Sequence, residues 1–156
     1  MKIRLPLLAL LCSLAALPVL RAEDAAPKKM SADKEDETEL GDKMDKMGGA
    51  FRKLGKQIND ATKNEDSLKL VATMRASAED ALKLEPAKKA DIPADQQAKF
   101  VADYQTQIKG LIADIDKLDA ALKAGNNTDA AALLKDLKKD MDDGHKEFRK
   151  KKKKKE

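Results

Sequence analysis

The chain holds a single histidine, His145, and a single cysteine, Cys12. One imidazole excludes every zinc or iron site built on two histidines, and one thiol excludes both a disulfide framework and thiolate clusters. The soft donors that remain are six methionines. His145 falls in phase with Met141 and Phe148 on an apolar stripe, so its ring is expected to face an interior. Met44 and Met47 lie on a comparable stripe near the other end of the chain. Taken singly, each residue has a plain reading, a histidine near a frayed helix end and methionines as core filler. Taken together across one interior, a neutral imidazole nitrogen and a thioether sulfur form the axial pair of low-spin electron-transfer haems, whose potential Met/His ligation raises. The residues before His145 are Met141-Asp-Asp-Gly144, which excludes the Cys-x-x-Cys-His attachment of a covalent haem.

The elements that must hold these residues are helical. Aromatic residues make up only 3% of the 156 residues and β-branched residues are few, which argues against an extensive sheet. From Thr38 the apolar positions Leu40, Met44, Met47, Phe51, Leu54 and Ile58 recur at alternating intervals of four and three, the stripe of a first helix. Asn59 to Asn64 breaks it, and Leu68, Val71, Met74, Ala78 and Leu82 mark a second. Pro86 and Pro93 bound the next connection. A third helix runs from Phe100 through Tyr104, Ile108, Leu111, Ile115 and Leu118 to Leu122, and Gly125-Asn-Asn127 stops it. Asn127 or Thr128 is expected to cap a fourth, striped by Ala130, Leu134, Leu137, Met141, His145 and Phe148. Four amphipathic helices joined in this way bury their stripes most simply as an all-α, antiparallel up-down-up-down four-helix bundle. That topology places the start of helix 1 and the end of helix 4 at one end, with Met44, Met47 and His145 together there.

The ends read differently from the middle. Residues 1–22 have a basic start, an apolar run from Leu5 to Leu20 and a tolerable cleavage site at Leu20-Arg21-Ala22, the pattern of a secretory signal peptide rather than a transmembrane helix. Leu11 before Cys12 is a poor lipobox residue, so the thiol is expected to leave with the leader. Residues 23–36, of Ala, Pro, Lys, Asp and Glu, read as a flexible spacer. Residues 37–149 form the bundle and residues 150–156 a Lys-rich disordered tail. The formal charge of +4 is therefore a sum of unlike parts: the leader carries +3 and the stretch from Arg149 to Glu156 carries +6, leaving −5 on the body. An acidic body does not read as a nucleic-acid-binding domain.

The stretch Asp136-Leu-Lys-Lys-Asp-Met-Asp-Asp-Gly-His-Lys-Glu-Phe-Arg149, with Thr73-Met-Arg-Ala76, Lys99-Phe100 and the methionine-bearing helix 1, resembles cytochrome b562 over about Glu37 to Arg149. The resemblance implies a periplasmic four-helix bundle holding one non-covalent haem b (iron protoporphyrin IX) per chain. It implies His145 as the histidine ligand and Met47 as the methionine ligand, matched by depth along helix 1, with Met44 as the alternative. It places Phe100 and Tyr104 against the haem face, where core packing serves equally, and Arg149 near a propionate, which a guanidinium suits. Two features depart from the family: Gly48-Gly49 directly after Met47, each costing about 1 kcal/mol inside a helix, and the lysine tail.

The expected function is thus electron transfer and not enzymatic catalysis. Both axial positions would be taken, and the partners would be periplasmic redox proteins met by a monomer through a haem edge. The competing class is a haem-free helical bundle acting as a periplasmic binding or scaffold protein. A third reading, polyanion binding, rests on Lys150 to Lys155 alone, and such runs are usually solvated.

Overall fold

The computed structural model describes residues 38–150. The expected leader, spacer and lysine tail beyond Lys150 lie outside the described residues. Four helices account for the fold: α1 Glu39–Gly55, α2 Asn64–Ala81, α3 Gln97–Lys123 and α4 Asn127–Phe148. Short 3-10 turns at Ala61–Lys63 and Ala87–Asp91 carry the first two connections.

The helix ends follow local chemistry. The Thr38 hydroxyl accepts from the Gly41 N–H at 3.0 Å and caps α1, whose first turn carries Glu39 and Asp42 and whose last carries Arg52 and Lys53. Both charge placements favour the helix dipole. Gly125, at φ +72, takes the left-handed conformation in which other residues are strained. It lets the Asn126 N–H reach Ala121 O at 2.9 Å and its own N–H reach Leu122 O at 3.0 Å, which closes α3 as a Schellman motif. The cap of α4 is Asn126, whose side chain accepts from the Asp129 N–H at 3.2 Å, rather than Asn127 or Thr128. Asn127 is drawn off by the tertiary structure: its Nδ2 donates to Ile58 O at 2.6 Å and to Asn64 Oδ1 at 2.8 Å, while Asn64 Nδ2 donates back to Asn127 Oδ1 at 3.1 Å. This amide pair ties the end of α1 and the starts of α2 and α4 into one corner. Replacing Asn127 with Ala should cost about 1–3 kcal/mol, because it leaves half-buried partners unsatisfied, and a urea-unfolding midpoint measures the loss.

Neighbouring helices run antiparallel. Lys43 Nζ meets Asp80 Oδ2 at 3.0 Å, and Gln57 Nε2 donates to the buried Ser67 hydroxyl at 3.0 Å; as numbers rise along α1 they fall along α2. Arg75 Nε to Asp116 Oδ1 at 2.7 Å with Tyr104 to Ala81 O does the same for α2–α3, and Gln107 Nε2 to Asp140 O at 3.1 Å with the Phe100–Phe148 ring pair does so for α3–α4. The shared core takes Met47 and Leu54 from α1, Val71 and Met74 from α2, Ile115, Leu118 and Leu122 from α3 and Leu137 from α4. The α1–α2, α2–α3 and α3–α4 pairs pack closely along their lengths, whereas the α1 and α4 backbones stay farther apart. That looser α1–α4 seam is where the bundle has room.

Candidate functional site

The lining of the seam can be traced along both helices. Near its lower end, at the α1 C-terminus and the α4 N-terminus, Phe51, Gly55 and Ile58 face Ala131, Leu134 and Lys138. A Cβ placed on Gly55 would sit 3.9 Å from Leu134 Cδ2. Residues seven apart on a helix share a face, because two turns take about 7.2 residues. Met44 and Gly48 therefore continue the line of Phe51 and Gly55, and Met141 and His145 that of Leu134 and Lys138. Gly144, by contrast, turns to α3, where a Cβ on it would lie 3.1 Å from Gln107 Nε2. The upper seam is thus bordered by thioethers and by the chain's one imidazole, and the Arg52 guanidinium lies over Gly48, where a Cβ would meet its Nη1 at 3.4 Å.

Depth along the bundle follows from the Gly55–Leu134 level. Eleven residues up each antiparallel helix, Met44 stands level with His145, and Met47 stands three residues lower, about 4.5 Å at a rise of about 1.5 Å per residue. Side chains lean toward the N-terminus of their own helix, so Met47 leans up along α1 while His145 leans down along α4. Met47 is 2% exposed and part of the core; Met44 is half-buried against it. Opposite Met47 in the α1–α2 register lies the buried Ser77, whose hydroxyl has no partner among the described residues.

His145 differs from the sequence expectation. Its side chain is exposed, while the interior positions at this level are Met141, half-buried, and Phe148, 7% exposed. The reason is angular: the buried line through Leu137, Met141, Gly144 and Phe148 drifts around α4, and His145 falls on its flank, on the α1 side. The imidazole is at the mouth of the seam and not inside the core.

Phe100 and Tyr104 are brought together with Phe148. The Phe100 and Phe148 ring centroids are 5.2 Å apart and those of Tyr104 and Phe148 5.4 Å apart, the latter pair edge to face, an arrangement favoured by the ring quadrupoles. The Tyr104 hydroxyl donates to Ala81 O at 2.8 Å, which satisfies a carbonyl at the end of α2. Burial pushes this phenol up to about 12. The folded state therefore keeps a proton that an unfolded chain releases near pH 10. Stability from this residue should be complete below pH 10 and fall as the pH climbs toward 12, by up to about 3 kcal/mol. Because Tyr104 is the only tyrosine, an ultraviolet titration of the phenolate band reads it directly: ionisation near pH 12 in the folded protein and near pH 10 in denaturant.

Arg149 lies one turn beyond His145, is exposed, and donates its backbone N–H to His145 O at 3.2 Å while the chain turns extended. The end of α4 is held from the side by Lys88, which donates to Glu147 O, and by Lys150, which meets Asp91 at 3.3 Å. These tethers to the α2–α3 connection had no signature in the sequence. The glycine line Gly41, Gly48, Gly55 was legible as a seven-residue repeat, but only the position of α4 shows what it faces.

The profile of the family described as Cytochrome b562 matches residues 39–149, α1 through Arg149. No curated protein matches the chain. With the profile spanning every helix described above, the chain belongs to the cytochrome b562 family, a family of haem-binding electron-transfer cytochromes.

Proposed function

We propose that this protein is a periplasmic electron carrier that binds one non-covalent b-type haem with Met47 and His145 as axial ligands. The observation that carries the reading is the α1–α4 seam: it is looser than the α1–α2, α2–α3 and α3–α4 packings, and it has a thioether on one side and the lone imidazole on the other. The donor set fits the group in kind, one nitrogen and one soft sulfur. The mouth position of His145 leaves its exposed ring free to turn inward. When bound, the haem supplies a one-electron Fe(III)/Fe(II) couple.

The chain's own residues have definable parts. Met47, packed in the core, is pre-positioned and loses little freedom on ligation. The His145 imidazole offers a ring nitrogen as a donor to iron. The Phe100, Tyr104 and Phe148 rings form an apolar wall that limits water at this end. Tyr104 stays protonated there, its hydrogen committed to Ala81 O. Arg149, exposed at the end of α4, is placed to pair with a propionate. The acidic body steers cationic redox partners, with a rate that falls as salt rises.

A second reading exchanges the methionine: Met44 is level with His145 and on the α4-facing line, which favours it as the ligand. Haemin titration separates the two. The reduced wild-type complex should show a narrow low-spin α-band; Met47→Ala should lose six-coordination and Met44→Ala keep it. The opposite pattern assigns the sulfur to Met44, and the absence of any such band in the wild-type protein leaves the haem-free bundle as the function.

A further inference from the structure

At the lower end of the α1–α4 seam, away from His145, lies a cavity of about 230 Å³. Its floor is apolar, made by Phe51 and Ile58 from the α1 side and Ala131 and Leu134 from α4. It exists because position 55 is glycine: a Cβ there would make only an ordinary contact with Leu134, so a longer side chain would occupy the void. The rim is polar and one-sided in charge. It carries Asn59, Lys135 and Lys138 and no carboxylate, although the body of the chain is acidic. Lys138 is paired with Asp142 at 2.6 Å on an exposed face, a pair of low strength that an incoming anion exchanges readily. Lys135 makes no ion pair among the described residues.

An apolar trough closed at one side by two ammonium groups matches an amphipathic anion. The volume is below the roughly 300–1,000 Å³ of sites for drug-sized ligands, which fits one short chain and not a folded or branched molecule. We propose that this cavity binds a free medium-chain carboxylate, its alkyl chain on Phe51, Ile58 and Leu134 and its carboxylate between Lys135 and Lys138. Every methylene laid on the floor removes apolar surface from water, and the lysines set the orientation of the bound chain. The site is separate from the Met/His end and does not depend on haem binding.

The test is titration of the full chain with octanoate, followed by heteronuclear NMR. Saturable shifts centred on Gly55, Asn59, Ala131 and Leu134 are expected. Methyl octanoate, which keeps the chain and lacks the charge, should bind about tenfold more weakly, since two exposed ion pairs are lost. The Lys135→Gln/Lys138→Gln protein should bind octanoate only as well as the ester. Gly55→Leu should abolish binding while its thermal midpoint stays at or above that of the parent, because helix propensity rises on removing glycine. Should Gly55→Leu fail to fold, the double lysine variant and the ester carry the same decision. His145→Ala should bind octanoate as the parent does. The proposal is overturned by the absence of saturable binding, by equal affinity for the ester, by undiminished binding to a folded Gly55→Leu protein, or by shifts centred on Met44 and His145.

Discussion

The His145→Ala protein is expected to lose the narrow α-band and to show a five-coordinate, high-spin haem spectrum. No second imidazole or nearby thiolate can replace the ligand, because the chain has one histidine and its one cysteine is Cys12 in the apolar N-terminal run. Affinity for haemin should fall by more than the roughly 10–100-fold that loss of an outer-shell partner costs at metal sites. The haem-free protein, in contrast, should unfold within about 0.5 kcal/mol of the parent, since the side chain is exposed and its ring makes no hydrogen bond among the described residues. That combination, a large spectral loss with an unmoved apo stability, is the signature of a ligand as opposed to a structural residue. Added imidazole should restore a six-coordinate spectrum in the variant. A His145→Ala protein that keeps the parent's α-band would remove His145 from the site.

The second large effect is expected at Phe148. Its ring is 7% exposed and packs on both Phe100 and Tyr104, so Phe148→Ala deletes the residue that fastens the last turn of α4 to α3. Truncations of buried Phe cost about 3–5 kcal/mol where the site cannot collapse. Here a helix end can give way, and about 3 kcal/mol is expected. The urea midpoint should drop accordingly, and hydrogen exchange should quicken from Met141 to Phe148 while the Asn64–Asn127 corner keeps its protection. Haemin affinity should fall even though both proposed ligands remain, because His145 then sits on a frayed turn. An unchanged urea midpoint would mean that the tethers from Lys88 and Lys150 hold the helix end without the ring.

The helices themselves were written in local chemistry. The alternating spacing of Leu40, Met44, Met47, Phe51 and Leu54 needs only a 3.6-residue turn to become a buried stripe, and the left-handed Gly125 ends α3 wherever α3 packs. The fold class followed from having four such stripes on short connections. The α4 cap shows where local reading stops: Asn126, Asn127 and Thr128 are all competent, and Asn126 takes the role because Ile58 and Asn64, some sixty residues earlier in the chain, engage Asn127.

The site divides in the same way. Its donor types, one imidazole and nearby thioethers, are a matter of sequence alone, since composition limits the chemistry whatever the fold. Where the imidazole points was decided by tertiary packing. Met141, Gly144 and Phe148 fill the interior line of α4, and a helix that repeats every 3.6 residues must then carry His145 onto the flank that faces α1. The cavity beneath it could not be read from the chain at all. A glycine in a helix is a local cost, and it becomes a binding surface only when a second helix stands opposite and leaves the missing side chain's volume unfilled.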